Sequence, residues 1–367
     1  MKGVYSDLIY LLSCAVNGIT PDKARVQAMD LETLYKLAKF YTVRGAVCIA
    51  LKRAGVQDKQ FDQAYKKTVR KIIYLDMERA AIISDFEKQG IWYMPLKGSV
   101  LKELYPENGM REMSDNDVLI DAEKQEQVKE IMLAHGYTAK YYGVGNHDVY
   151  MKPPVLNFEM HTSLFGEAHA EPLYKYYADV KRLLVKNEGS EYGCHFFDED
   201  LYVYVTAHEW KHFSSSGAGL RPLMDRYVFL KNKGDTLDWG YITEQTKQLE
   251  IADYELERRQ LAVKVFSSDK LPKLTESEQQ TLINCLTSGT YGTIENSIRK
   301  KLHGRTKAGF ILSNMFPNLE YMKRSVKFVG ACPLMYPIGI VYRWGRIITK
   351  RRSYLKQTIK TVRKYGK

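Results

Sequence analysis

The spacing of apolar and polar positions changes twice along the chain and divides it into a helical stretch, a short stretch of strands, and a second helical stretch. Residues 5–90 carry a helical period. Thr20-Pro21-Asp22 reads as an N-cap followed by proline at the first helical position, and Asp30 caps a second helix with Leu31, Leu34, Leu37 and Ala38 on one stripe. Residues 62–89 form a long amphipathic pattern that stops at Gly90. Over 91–165 the period shortens. Ile91 to Met94 predicts a strand ending at Pro95, Ser99 opens a short helix with Val100, Leu101 and Leu104, and Val118-Leu119-Ile120 predicts the next strand. A helix over 123–135 and a strand from Gly136-Tyr137 follow. His147–Met151 and Val155–His161 then read as an antiparallel pair around Lys152-Pro153-Pro154. Helical spacing returns after Pro172, with helices over 201–212 and 220–231 and most of 235–286, and a break at Ser267-Ser268-Asp269. Residues 287–308, rich in Gly and Thr and including Arg305, read as a loop. The apolar run 328–342 is interrupted by Pro333 and Pro337 and is too short to cross a membrane. The pattern predicts an α/β chain of the α+β kind, a small mixed sheet between helical segments, with boundaries at 1–90, 91–170, 171–320 and 321–367.

The strand-rich stretch also concentrates the chemistry. Asp115 and Asp117 are two residues apart, so on a strand both carboxylates point to one side. Side by side they repel unless a cation lies between them. A third acid, Glu159, lies among Leu156, Phe158 and Met160, where a charged group needs a partner. Asp148, on the neighbouring strand, is the rival third carboxylate. Three clustered acids suit Mg²⁺ (or Mn²⁺), a hard ion that completes its shell with substrate phosphates. Lys97-Gly98-Ser99 stands at a strand-to-helix junction. There glycine lets backbone approach an anion, and helix N–H groups face a phosphate. Lys97 reads equally as a phosphate contact or as an ion pair for the acids, and Arg111 as a phosphate ligand or a lock on its loop. His147, His161 and His169 match no compact zinc spacing. His147 and His161 read as pocket residues that orient carboxylates. His208, Lys211, His212, Arg221 and Asp225 form a polar set facing either solvent or the nucleotide.

At these residues the chain resembles the nucleotidyltransferase superfamily, with its polymerase-beta-like fold. More closely it is similar to a bacterial group of uncharacterised nucleotidyltransferases. The resemblance rests on Leu96-Lys97-Gly98, on Arg111-Glu112-Met113-Ser114-Asp115-Asn116-Asp117, and on Glu159-Met160-His161 with His147 upstream. It is specific over about 90–165 and fades beyond 230. It implies that Asp115, Asp117 and Glu159 hold the metal and act in catalysis. It also implies that Lys97, Gly98, Ser99 and Arg111 bind the nucleotide, and that the donor is ATP or another NTP whose NMP passes to an unidentified acceptor hydroxyl. Two departures stand out. The spacer between Ser99 and Asp115 is long, and Asn116 occupies a position that is usually apolar and so removes one core contact.

Composition changes the picture in one respect. Apolar content of 45% with 12% aromatics indicates an ordered globular protein. Five scattered cysteines without a Cys-x-x-Cys pair suggest reduced thiols in the cytoplasm, and the N-terminus shows no signal-peptide pattern. The net charge of +12 is not a property of the whole chain. Residues 321–367 hold 13 of the 55 Lys and Arg and no acid, which leaves 42 basic against 43 acidic residues before them. A nucleic-acid channel needs cations at the site, so the near-neutral body makes nucleic acid the less favoured partner. In the tail, Val341, Trp344, Ile348, Leu355, Ile359 and Val362 make one helical stripe. That is the pattern of a helix on an anionic membrane surface, at the inner face if the chain is cytoplasmic. The other reading packs the stripe on the body. The rival to an enzyme is a non-catalytic nucleotide-binding scaffold that works through this tail.

Overall fold

The computed structural model describes residues 3–167, 169–350 and 352–365. The chain forms two compact units. The first comprises Met1–Lys211 with Gly219–Thr290, and the second His212–Ala218 with Tyr291–Lys367.

The first unit holds a five-stranded mixed sheet. Its strands are β1 (Tyr93–Pro95), β2 (Asn116–Ile120), β3 (Thr138–Tyr141), β4 (His147–Lys152) and β5 (Leu156–His161), in the order β1-β2-β5-β4-β3. Only the β2–β5 pair is parallel. Alternation sorts the side chains between two faces. Val118 and Ile120 of β2 and Phe158 and Met160 of β5 pack with Ile72, Leu75, Ile82 and Phe86 of the 30-residue helix Lys59–Lys88 and with Val128 and Met132 of the helix Gln125–Ala134. Asp117, Leu119, Glu159 and His161 take the opposite face, where Leu119 joins Met94, Leu96, Leu101, Phe165 and Tyr204 in a second core. Asn116 falls on the face of the long helix, where a polar side chain costs energy unless it is satisfied. It is fully buried, donates to the Leu75 carbonyl at 2.8 Å and accepts from Arg79 at 2.8 Å. Hydrogen bonds therefore replace the apolar contact that the sequence had suggested was lost.

The long helix starts where Asp58 accepts from the amides of Gln60 and Phe61, and the chain turns at Gly90 with φ +67°. Further upstream the cap is Asp22, accepting from Arg25, rather than Thr20, and the helix it opens is short, Lys23–Gln27. The N-terminal helices do not form a layer of their own. Leu8, Leu11, Leu12 and Val16 of Gly3–Asn17 share one core with Val47, with Leu223 and Met224 of Leu220–Lys233, and with Val265 and Phe266 of Ala252–Phe266. Ser13 ties the two ends together by donating to the Phe266 carbonyl at 3.0 Å.

In the second unit the expected loop over 287–308 contains the helix Ile294–Leu302. Thr293 caps it, and Ile298 and Leu302 are buried against Phe310 and Val362. Gly289, Gly292 and Gly304 all have positive φ and bracket this helix. They suggested a loop because they punctuate a short element. The apolar stripe of the tail falls on two helices, Tyr336–Lys350 and Arg352–Tyr365. Val362 is buried and Trp344 stacks edge-on to Phe316, whereas Val341, Ile348 and Ile359 are exposed.

Candidate active site

The site forms where β2 and β5 run parallel. In their register Asp117 lies opposite Glu159, and on the other side of β5 His147 lies opposite His161. Period-2 geometry puts all four on one face. Among the described residues, Asp117, Glu159 and His161 place ligating atoms within 4.8 Å of one another. His161 Nε2 is 2.9 Å from Asp117 Oδ1. The His147 and His161 rings stack at 5.0 Å. Asp148 lies one position out of phase, on the other face, where it accepts from Gln125 at 2.8 Å and from the Gly143 amide at 2.7 Å. Glu159 is therefore the acid beside Asp117. Asp115 immediately precedes β2, accepts from Ser114 Oγ at 2.8 Å, and is close enough for the Asp117 charge to help burial raise its pKa.

Lys97 joins the cluster as a resident cation. Its backbone has φ +47°, unusual for a side chain with a Cβ, just before the short helix Gly98–Leu101. This turn carries Nζ to 2.7 Å from Asp117 Oδ1. Burial alone would raise the Asp117 pKa, but the charge of Lys97 and the hydrogen bond from His161 hold it well below the usual carboxylate range. Lys97 is raised in turn, because Asp117 outweighs its burial. Glu159 moves the other way, pushed up to about 7 by burial and by the charges of Asp117 and Asp115. Burial and Lys97 push His161 down to about 4, so it is neutral near pH 7. Its Nε2–H then donates to the ionised Asp117. Nδ1 is left as a buried nitrogen with no hydrogen-bond partner among the described residues. On the helix Asp198–Ser215, Lys211 is pushed down to about 8 by burial and the Lys97 charge, and lies over the Phe165 ring at 5.8 Å.

The remaining predicted residues divide. Gly98 has no room for a side chain, since a Cβ there would stand 2.7 Å from Arg111 Nη1 and 2.8 Å from Met113 Cε. The Ser99 hydroxyl is buried and donates to the Leu96 carbonyl at 2.9 Å, so its proton is committed and its backbone N–H is the group left to meet an anion. Arg111 serves as the lock. It is 3% exposed, and Asp225 holds its guanidinium at 2.8 and 3.0 Å while accepting from Tyr105 at 2.6 Å. A phosphate would have to displace that carboxylate. His169 folds back on Gly166 and stays outside the cluster. Two contributors were not visible in the sequence, Asp225 as the partner of Arg111 and Lys71, which donates to the Ser114 carbonyl at 2.7 Å. Lys71 is one of several lysines on a polar helix face, and nothing in the local pattern distinguishes it.

The donor set fits a divalent cation. Two carboxylates of the trio, with Asp115 nearby, crowd negative charge that one lysine only partly offsets. This crowding has a consequence for stability. The folded pKa of Glu159, about 7, exceeds its ordinary 4.5, so between those values the folded state binds more protons than the unfolded one. Metal-free stability should therefore fall as pH rises through that window, by on the order of 3 kcal/mol at most. His161 has the opposite sign. Its folded pKa of about 4 lies below 6.5, so its contribution grows as pH rises between them. Subtracting the Glu159→Gln profile from wild type isolates the Glu159 contribution. Urea unfolding at pH 5 and pH 8 in chelator should show wild type losing stability relative to the variant, and parallel profiles would contradict the assigned environment.

A mixed sheet with an acid on each of two parallel neighbours and a Gly-Ser turn beside them is the arrangement that the resemblance to nucleotidyltransferases implied. The chain belongs to a family described as uncharacterised nucleotidyltransferase, which matches residues 27–267. That stretch contains every site residue named above. No curated protein and no solved structure matches the chain.

Proposed function

We propose that the protein transfers NMP from an NTP, ATP by the resemblance of its motifs, to an acceptor hydroxyl with release of pyrophosphate, in the presence of Mg²⁺ or Mn²⁺. The observation that carries this reading is the pairing of Asp117 with Glu159 across β2 and β5 beside the Gly98–Ser99 turn. Catalysis is assigned to 91–170, with 1–90 and 171–320 as its helical support and 321–367 as a separate tail. Asp115, Asp117 and Glu159 hold the ion, with His161 orienting Asp117. When bound, the ion offsets the charge of the triphosphate and of the departing pyrophosphate. Backbone N–H groups at Gly98 and Ser99 receive the β- and γ-phosphates. The acceptor oxygen bonds to the α-phosphorus, the bond from that phosphorus to the β-phosphate oxygen breaks, and the hydroxyl proton passes to the Glu159 carboxylate. Lys97 keeps Asp117 ionised throughout. With α-³²P-labelled ATP, Mg²⁺ and a lysate as acceptor pool, label should move to an acceptor and pyrophosphate should appear. Glu159→Gln should stop transfer while weakening nucleotide binding less, because its role belongs to the transition state. Undiminished transfer by that variant would refute the assignment.

The tail supports a second, compatible reading, contact with an anionic membrane. Among the described residues no helix is long and apolar enough to cross a membrane. Leu334, Ile338, Val341 and Ile348 are nevertheless exposed, at 90%, 58%, 67% and 54%, in a segment without acids. An apolar edge among cations suits the boundary of an anionic bilayer. Ile338→Ser with Val341→Ser alters exposed positions, so the fold should be spared. The variant should lose low-salt sedimentation with phosphatidylglycerol vesicles, and retained sedimentation would rule this surface out.

A further inference from the structure

A cavity of about 380 Å³ opens at residues 112–114, just before Asp115, against the helix Lys59–Lys88. Its charge is lopsided. Arg44, Lys67, Lys71 and Arg221 line it against a single acid, Glu112. Glu112 is already committed, since it accepts from the Arg44 backbone amide at 2.6 Å and pairs with the Arg44 guanidinium. A surplus of positive charge remains. Lys71 spans cavity and site, because Ser114, whose carbonyl it binds, precedes Asp115 and lines the same wall. Arg221 lies close enough to Asp115 to offset part of the upward shift of that carboxyl. At the mouth, Lys67 is exposed and makes no ion pair among the described residues. Gln60 and Gln63 add amides, and Tyr35 an aromatic wall.

We infer that this cavity binds a phosphate-bearing small molecule, and that this molecule is the acceptor. The volume suits a sugar phosphate or a ligand of similar size. Lysine and arginine are the side chains that recognise phosphate, and amides suit hydroxyls. A phosphate here has two conceivable sources, the triphosphate of the donor or a separate ligand. The lining contains none of Lys97, Gly98, Ser99, Asp117 or Glu159, so the donor phosphates proposed to lie on those residues would not fill it. It adjoins Asp115 through Ser114, whose carbonyl Lys71 holds, and so lies next to the reaction centre proposed above. The acceptor role rests on the proposed transfer reaction, whereas phosphate binding does not.

Calorimetry on the full chain tests both parts, with ribose 5-phosphate as probe, ribose as control, and Mg²⁺ with the non-hydrolysable α,β-methylene analogue of ATP as donor mimic. Ribose 5-phosphate should bind and ribose should not. The donor mimic should change the ribose 5-phosphate Kd by less than about twofold. Lys67→Glu should weaken ribose 5-phosphate about tenfold, the loss of one charge-assisted contact, and leave the donor mimic unaffected. Displacement of ribose 5-phosphate by the mimic would overturn the acceptor assignment and give the cavity to the triphosphate. An unchanged Kd in Lys67→Glu, or no ribose 5-phosphate binding at all, would overturn the site. If the mimic fails to bind while Lys67-dependent ribose 5-phosphate binding persists, the transfer reaction is refuted and the phosphate site stands.

Discussion

Asp117→Asn should abolish transfer and also loosen the fold, and the two losses should be separable. Asp117 is the countercharge of Lys97, at 2.7 Å, with both side chains largely buried. Removing one partner of a buried pair leaves the other charge without compensation and costs about 3–5 kcal/mol. Part of that cost is recoverable here. Without the Asp117 charge the Glu159 carboxyl loses a main cause of its elevation, ionises more readily, and becomes the nearest counter-ion for Lys97. The observed destabilisation should therefore lie toward the lower end of the range. Activity has no such substitute. Losing a carboxylate proposed to hold the ion would remove several kcal/mol of charge stabilisation, about three decades in rate. Asp117→Asn with Lys97→Met should restore the urea midpoint without restoring transfer. Asp115→Asn should lose transfer with little effect on the midpoint, because Asp115 makes no ion pair among the described residues. A double variant as unstable as Asp117→Asn alone would show that the pair does not hold the turn.

The second large effect is expected at the lock, which joins Arg111, four residues before Asp115, to Asp225, 110 residues after it. Asp225→Ala should destabilise the protein by about 3–5 kcal/mol and weaken nucleotide binding, although Asp225 touches none of the acids. Asp225 and Arg111 are 4% and 3% exposed, and the carboxylate also accepts from Tyr105. Without it the guanidinium is a buried cation that has lost its main partner, and it must move. Arg111 packs against Gly98 so closely that a methyl group would not fit between them, so its movement displaces the turn proposed to receive phosphate. Tyr105→Phe removes one hydrogen bond and leaves the ion pair, so its cost should be nearer 1 kcal/mol. Equal urea midpoints for wild type and Asp225→Ala would refute the lock.

The sheet and its acids were legible because their information is local. Asp115-Asn116-Asp117 alternates about a strand, Pro153-Pro154 marks the turn between β4 and β5, and Gly98 marks a junction without space for a Cβ. What was hidden depends on residues distant in sequence. Arg111 meets Asp225 across 114 positions, so only the fold decides between lock and ligand. The same holds for Asn116, whose satisfaction comes from a helix some 40 residues upstream. The tail failed differently. Its stripe takes a step of seven from Ile348 to Leu355, which spans the junction of the two helices Tyr336–Lys350 and Arg352–Tyr365. A seven-residue step preserves phase whether or not the helix continues, so periodicity could not detect the break. The helix Ile294–Leu302 was missed because its flanking glycines outweighed a nine-residue pattern.

The core shared by the two ends of the first unit bears on where the gene can be cut. The family match begins at residue 27, after the helix Gly3–Asn17. That helix is wedged into the core, with Leu8, Leu11, Leu12 and Val16 at 0% exposure. A fragment trimmed to the matched span would open a trough along Leu223, Met224, Val265 and Phe266, and the sticky face so exposed favours aggregation. Excising 91–170 as a minimal enzyme meets the same obstacle from the other side, since one wall of the sheet's core belongs to Lys59–Lys88. The sheet is an insert clasped by helices from both flanks, so the smallest piece that can be expressed intact is much larger than the piece that carries the chemistry.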